Sequence, residues 1–207
     1  MPPAVVTYHQ QVAQQKRGAI LDAASQLFLE LGYDRTSLAK IAERADVSRA
    51  TLFKQFPSKA SLFDDMVRQS WRTDDDDHIT PPAGDVQAGL VEIGTQYAAL
   101  ISTREMADLF RIVISELPRF PELAGAQFSL GKMPYFQRVR DYLESEVAAG
   151  TATVADLDLT STQFLGMIAN YLLWPKLLIP GWSVTSERQA TVVAEAATTT
   201  AARISVR

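Results

Sequence analysis

The 207-residue sequence predicts an all-α fold, and three observations carry that prediction. Apolar residues recur at the three- and four-residue spacing of amphipathic helices through most of the chain. Glycine and proline, ten of each, are confined mostly to the junctions between these periodic segments. The sequence also lacks a sustained run of alternating β-branched residues, which is the pattern typical of strands.

Four helical patterns come first in the chain. The first covers residues 14–31 and carries a long apolar stripe. Ser37 is suited to cap the N-terminus of a short second helix, because its hydroxyl can accept a hydrogen bond from a free backbone N–H. Ser48 is suited to cap a short third helix in the same way. Pro57 and Ser58 then begin a fourth helix, since proline favours the first turn.

The segment TDDDDHITPPAGD, residues 73–85, interrupts the helical pattern. Four consecutive acids, two prolines and a glycine predict a junction. A metal site built from the Asp run and His78 is the alternative interpretation, but consecutive carboxylates do not all point at one ion. Helical patterns resume beyond the junction, over residues 85–102, 104–117, 122–149, 156–178 and 186–204.

Charge is distributed unevenly between the two parts of the chain. Residues 1–60 hold eight lysines and arginines against five acidic residues, whereas the net charge of the whole chain is −4. The remainder therefore carries −7. This distribution is typical of a protein in which the cationic segment binds a polyanion while the acidic remainder is repelled from it. We expect a flexible tail at residues 1–13, one domain at 14–60 and a larger one at 61–207.

Composition excludes several classes of protein. Apolar residues make up 47% and charged residues 21%, as in soluble globular proteins, and there is no cysteine for disulfides, thiolate metal sites or nucleophilic catalysis. The sequence shows neither a signal peptide nor a membrane span, which predicts a cytoplasmic protein. The two histidines, His9 and His78, fall in the tail and the junction, and no glycine-rich phosphate loop is present. We expect no enzyme, no metal and no cofactor.

The second and third predicted helices, joined by Ala45-Asp46-Val47, match a helix-turn-helix in which the later helix enters the DNA major groove. Asp46 occupies the turn position that needs a positive φ, which aspartate tolerates better than most residues. Val47 and Leu52 should fill the angle between the helices. The residues that then point outward are Ser48, Arg49, Ala50, Phe53 and Lys54.

Two cations in this region occupy unfavourable positions. Arg49 and Lys59 each fall near the start of a predicted helix, beside the positive end of its dipole. A DNA phosphate would explain both, because helix N-termini and cations bind anions together. Folding alone gives no reason for either charge.

The stretch TSLAKIAERADVSRATLFKQFPSKASLF, residues 36–63, resembles the DNA-binding motif of the TetR family of bacterial transcriptional regulators. The preceding AILDAASQLFLELGYDRT resembles the family's first helix. The resemblance implies a three-helix DNA-binding domain, a larger ligand-binding and dimerisation domain, and repression relieved by a small molecule. Asp46 replaces the usual turn glycine, and Phe53 replaces a tyrosine whose hydroxyl reaches a phosphate. The resemblance also implies that DNA is contacted by Ser37, Arg49, Thr51, Lys54 and Lys59.

The body beyond residue 61 offers many aromatic side chains for an apolar cavity. We expect a small apolar or amphipathic effector there, although aromatic residues at helical spacing are also typical of plain core. The apolar faces of residues 156–178 predict a homodimer, which would bind a palindromic double-stranded operator. The alternative is a helical ligand-binding or interaction protein without sequence-specific DNA binding. The predicted pocket comprises Trp71, Phe110, Phe128, Tyr135, Phe164, Asn170, Tyr171 and Trp174.

Overall fold

A computed structural model of the chain describes residues 8–72, 81 and 83–204. Within these residues the structure consists of α-helices and one π-helical segment, which confirms the predicted all-α fold. The chain forms two compact units. The N-terminal unit comprises residues up to 69 together with 111–127, and the C-terminal unit comprises 70–110 and the residues from 128 onward.

The N-terminal unit contains the predicted helix-turn-helix and two later segments of the chain. The domain predicted at residues 14–60 is therefore smaller than this unit, which also takes in most of the fourth helix and the chain from Arg111 to Gln127. Helix α6 passes from the C-terminal unit into this one. The helices are α1 (Tyr8–Leu31), α2 (Leu38–Arg44), α3 (Arg49–Gln55), α4 (Lys59–Ser70), the end of α6 (Arg104–Glu116) and α7 (Pro121–Ala126).

An apolar core fixes the orientation of α3 within this unit. Leu52 and Phe56 are fully buried, as are Ile41 on α2 and Leu62 on α4. Burying a side chain of this size stabilises the fold by roughly 1.5–3 kcal/mol. Of the two residues predicted to fill the angle between the helices, Leu52 is fully buried and Val47 is half-buried. With one side of α3 held in the core, its opposite side faces outward.

The C-terminal unit is a group of long helices in which α5 packs against α8, α9 and α11. Gly94 of α5 allows the close approach, because a β-carbon there would meet the side chains of Val193, Phe164 and Ile168. Asp85 and Asp156 cap α5 and α9 by accepting hydrogen bonds from backbone N–H groups, each at 2.9 Å. The helices are α5 (Val86–Ile101), the start of α6, α8 (Met133–Ala148), α9 (Leu157–Leu172), α10 (Trp174–Leu178) and α11 (Ser186–Ile204).

Two helices predicted as continuous are interrupted. The pattern over 122–149 divides into α7, a π-helical segment at Gln127–Lys132 and α8. Pro134 has no N–H for the carbonyl four residues earlier, which disfavours regular α-helix at that point. Pro175 has the same effect on 156–178, where α9 ends at Leu172 and α10 begins at Trp174.

The start of the chain also differs from the prediction. Residues 8–13, which we expected in a flexible tail, belong to α1. Their sequence is free of glycine and proline and contains glutamine and alanine, which are good helix formers. Residues 1–7, 73–80, 82 and 205–207 lie outside the described residues, and with them most of the predicted junction, including the Asp run and His78. None of the helices described is long and apolar enough to cross a membrane.

Candidate nucleic-acid interface

The helix-turn-helix begins with two serine caps. The side chain of Ser37 accepts a hydrogen bond from the backbone N–H of Lys40, and that of Ser48 accepts one from Thr51. The distances are 3.3 and 3.0 Å. Both predicted caps are confirmed. The caps satisfy N–H groups that a helix start otherwise leaves without a partner.

Asp46 sets the angle between α2 and α3. Its φ is +51°, and no other non-glycine residue in the described part of the chain has a positive φ. The N–H of Val47 donates to the carbonyl of Ala42 at 3.0 Å, and that of Asp46 donates to Glu43 at 3.2 Å. This pair of bonds is the Schellman motif, which ends a helix through one left-handed residue. The predicted turn geometry is confirmed, with aspartate in place of glycine.

The outer side of α3 is exposed as predicted. Ser48, Arg49, Ala50 and Lys54 are exposed, and the ring of Phe53 is 50% exposed. Across the described structure, neither Arg49 nor Lys54 has an ion-pair or hydrogen-bond partner. Two unpaired cations and an apolar ring on a helix surface add little to folding stability, whereas they suit a polyanion. Ser37 is exposed and Thr51 half-buried, and all these DNA contacts stay predictions.

Lys59 differs from the other predicted contacts. Its ammonium donates to the carbonyls of Tyr33 and Thr36, at 2.5 and 3.0 Å, and to that of Asp34 at 3.3 Å. The ammonium also lies 4.2 Å from the centre of the Tyr33 ring. Burial lowers the pKa of Lys59, although the charges of Asp34 and Glu116 oppose that shift.

Three carbonyls match all three donors of the Lys59 ammonium. We therefore correct the interpretation that folding gives no reason for this charge, because Lys59 ties the start of α4 to the turn between α1 and α2. Sequence reasoning missed this role since the carbonyls lie 23 to 26 residues earlier. A phosphate contact by Lys59 stays a prediction, and it would compete with these bonds.

The residues of the predicted effector pocket lie in the C-terminal unit, but in different surroundings. Phe164 is fully buried beside Gly94, and the hydroxyl of Tyr135 donates to the carbonyl of Ile93 at 3.0 Å. Both side chains therefore serve the core. Half-buried members are Trp71, Phe110 and Tyr171, and exposed members are Phe128, Asn170 and Trp174. Their role toward an effector stays a prediction.

The fold and the outer face of α3 define a helix-turn-helix protein of the DNA-binding class. Residues 20–66 match the family described as bacterial regulatory proteins, tetR family, and residues 88–204 match the AefR-like transcriptional repressor C-terminal domain. The chain belongs to the tetR family of bacterial regulatory proteins. The resemblance noted in the sequence is thereby confirmed.

Two regulators of Bacillus subtilis (strain 168) show the relationship at the sequence level. The HTH-type transcriptional regulator YvkB is 34% identical over 112 residues, which is 50% of this chain and 58% of YvkB. YdeS is 37% identical over 102 residues, which is 44% of this chain and 50% of YdeS. The chain thus spans about half the length of these relatives.

Solved structures match over nearly the whole chain. The flavonoid-responsive regulator FrrA is 28% identical, with a TM-score of 0.75 over 94% of this chain and 99% of FrrA. A TetR family transcriptional regulator from Pseudomonas syringae pv. tomato str. DC3000 is 24% identical, with a TM-score of 0.76 over 93% and 98% of the two chains. The second likeness supports the fold alone.

Proposed function

We propose that this chain is a dimeric transcriptional repressor that binds a pseudo-palindromic operator and is released by a small apolar or amphipathic molecule. The observation that carries the proposal is the outer side of α3, where Arg49 and Lys54 are exposed without a partner among the residues described. Ser48 and Ala50 are small, so the helix can approach base edges closely.

Arg49 is our candidate for reading sequence. It is the first residue of α3, and the first residues of a recognition helix contact base edges. Its guanidinium can donate two hydrogen bonds to a guanine, which is worth about 1–3 kcal/mol of discrimination against another base. Lys54 lies in the last turn of the same helix and suits a phosphate contact, which fixes position without reading sequence.

A second copy of the chain is the partner that fits α9. Leu159 is 47% exposed and Met167 is 37% exposed on this helix, and both share a face with Gly166 and Asn170. A β-carbon at Gly166 would meet nothing within 4 Å, so a neighbouring backbone has room to approach closely. Pairing also presents two copies of α3, which places two half-sites about one helical turn of DNA apart.

The effector proposal draws on the relatives and on the aromatic content of the C-terminal unit. FrrA is named flavonoid-responsive, and the match over residues 88–204 is to a repressor domain. A planar, largely apolar molecule would suit rings such as Trp71 and Tyr171. Effectors of this kind typically change operator affinity by about 5- to 150-fold, because they favour one of two conformations.

Selection of bound sequences from random DNA tests the proposal. We expect the wild-type chain to select an inverted repeat. Arg49→Ala should bind more weakly and should accept more than one base at one position of each half-site. Arg104→Ala is the matched control, since its side chain is 87% exposed in the C-terminal unit. Equally weak binding to every duplex at low salt would instead favour an interaction protein without sequence-specific DNA binding. A flavone that lowers operator affinity would support the effector class.

A further inference from the structure

An open cleft of about 560 Å³ lies between the first half of α1 and α3 in the N-terminal unit. Helix α1 contributes Lys16 and Arg17 to its wall, and α3 contributes Thr51, Lys54 and Gln55. The lining contains three cations and no carboxylate. A cleft with this lining favours an anion.

The three cations differ in what they already contact. Arg17 donates to the carboxylate of Asp65 at 2.6 Å and lies 4.8 Å from the ring centre of Phe56. Its charge is therefore matched within the fold. Lys16 and Lys54 are exposed, and the described residues provide neither with a hydrogen-bond or ion-pair partner. Both ammonium groups are therefore available to an anion bound in the cleft.

The cleft adjoins the surface that we assign to DNA. Lys54 lies on the outer side of α3, one turn after Ala50, so it belongs to the DNA-facing surface and to the cleft at once. Thr51 and Gln55, also one turn apart, line the side of α3 that turns toward α1. The α1 wall precedes residues 20–66, so it lies outside the part that matches the family's DNA-binding domain.

We propose that Lys16 and Lys54 hold a phosphodiester group of the operator backbone in this cleft, so that the start of α1 is a second DNA-contacting element. The inference rests on the proposed function and extends it to a part of the chain without an assigned role. The ammonium groups supply charge, while the Gln55 amide can donate hydrogen bonds to phosphate oxygens. The Thr51 hydroxyl already shares a hydrogen bond of 2.8 Å with the Ser48 hydroxyl, and it can donate to a phosphate where Ser48 is the donor of that bond.

The test compares the wild-type chain with Lys16→Gln and Lys16→Arg on the selected operator and on a random duplex. Losing one phosphate contact should lower the slope of log affinity against log salt by about 0.9, equally on both duplexes. Lys16→Arg should keep the slope. Lys132→Gln is the control, because it removes an exposed lysine from the C-terminal unit. Circular dichroism checks that each variant is folded.

Phosphate ethylation interference locates the contact on the operator. We expect one phosphate per half-site whose ethylation weakens the wild-type chain but not Lys16→Gln. If the wild type binds duplex DNA while Lys16→Gln leaves both the slope and the interference pattern unchanged, the second DNA contact is overturned and the proposed function stands. If the wild type binds no duplex, the proposed function itself fails.

Titration with inorganic phosphate tests whether the cleft binds a free phosphate compound instead of a DNA phosphodiester. Calorimetric titration with phosphate, at constant ionic strength and without DNA, should show no saturable binding at millimolar concentration. Saturable binding that Lys16→Gln abolishes, together with an unchanged salt slope on the operator, would assign the cleft to a free phosphate compound and overturn the inference.

Discussion

The carboxylate of Glu116 accepts a hydrogen bond from the backbone N–H of Tyr33, with 2.9 Å between oxygen and nitrogen. Glu116 ends α6 and is 9% exposed, whereas Tyr33 lies in the turn between α1 and α2. The same segments are joined by Arg119 and Asp34, at 2.6 Å, and by the rings of Phe120 and Tyr33. The end of α6 therefore supports the turn that leads into the helix-turn-helix.

Glu116→Ala should destabilise the N-terminal unit. It leaves the N–H of Tyr33 without an acceptor in a buried place, which costs about 1–3 kcal/mol. Glu116→Gln should cost less, because the amide oxygen can still accept. Urea unfolding followed by circular dichroism measures both, with Glu105→Ala as an exposed control on the same helix. Equal stability of Glu116→Ala and the wild type would show that the hydrogen bond contributes nothing.

Lys59→Met separates a structural role from a phosphate contact. Methionine keeps an apolar side chain near the Tyr33 ring but removes the donors to three carbonyls, so we expect a loss of about 1–3 kcal/mol in unfolding free energy. Because these carbonyls already take the donors of the ammonium, we expect the salt slope of operator binding to stay unchanged, contrary to the phosphate contact that the family resemblance implies. Lys54→Met is the matched control, for which we expect the opposite result. Its stability should be unchanged, and its slope of log operator affinity against log salt should be lower by about one. A lower slope for Lys59→Met would assign its ammonium to a phosphate.

The sequence predicted the N-terminal helices well because the signals there are local. Serine caps, the left-handed turn residue and the apolar spacing each depend on neighbours within a few residues. The contacts of Lys59 and Glu116 were missed because they join segments 23 to 83 residues apart. Their residue types alone do not show whether the charge faces solvent, DNA or a backbone carbonyl.

The candidate site was predicted in part for the same reason. Which side of α3 is exposed follows from helical periodicity and the buried Leu52. The cleft beside it depends on where α1 lies relative to α3, so Lys16 carried no signal beyond its position in a basic pair. The aromatic set of the C-terminal unit shows the limit of composition, since Phe164 and Tyr135 serve the core while Phe128 and Trp174 are exposed.

Asp46 should be replaceable only by residues that tolerate a positive φ. A left-handed conformation costs an ordinary residue roughly 1–2 kcal/mol, whereas asparagine and glycine adopt it readily. We therefore expect the unfolding free energies of Asp46→Asn and Asp46→Gly to lie within about 0.5 kcal/mol of the wild-type value. Asp46→Val should be less stable than the wild type by about 1 kcal/mol or more. Thermal unfolding checks the series. Tolerance of valine would contradict the turn geometry.

Tyr97 should make stability fall at alkaline pH. Burial raises its pKa to about 12, above the usual value near 10. The pKa of Tyr97 is higher in the folded state than in the unfolded state. The neutral hydroxyl therefore makes its full contribution to the free energy of unfolding below about pH 10, and that contribution is lost as the pH rises toward 12. Tyr97→Phe has no hydroxyl to ionise. Between pH 10 and pH 12 we therefore expect the unfolding free energy of the wild type to fall by roughly 2–3 kcal/mol more than that of Tyr97→Phe.

Urea unfolding at pH 8 and at intervals up to pH 12 measures this difference. The ring of Tyr97 lies 5.1 Å from that of Tyr135, and phenylalanine keeps that contact, so the two proteins should have similar stability at pH 8. Parallel stability curves for the two proteins between pH 10 and 12 would show that the hydroxyl ionises as readily in the folded state as in the unfolded one.

Gly131→Ala should displace the indole of Trp71. Gly131 is a buried residue of the π-helical segment, and a β-carbon there would overlap the indole ring. Overpacking of this kind typically lowers the free energy of unfolding by about 1–3 kcal/mol. Trp71 is half-buried, so a displaced indole should become more exposed and its fluorescence should shift to longer wavelength.

The measurement uses a chain with Trp174→Phe and Trp182→Phe, which leaves Trp71 as the single tryptophan of three. Gly125→Ala is the control, because a β-carbon at Gly125 meets nothing within 4 Å and alanine favours the helix that contains it. We expect Gly131→Ala to lower the unfolding midpoint and shift the emission, and Gly125→Ala to raise the midpoint with unchanged emission. Unchanged emission and midpoint for Gly131→Ala would mean that the indole does not pack on this glycine in solution.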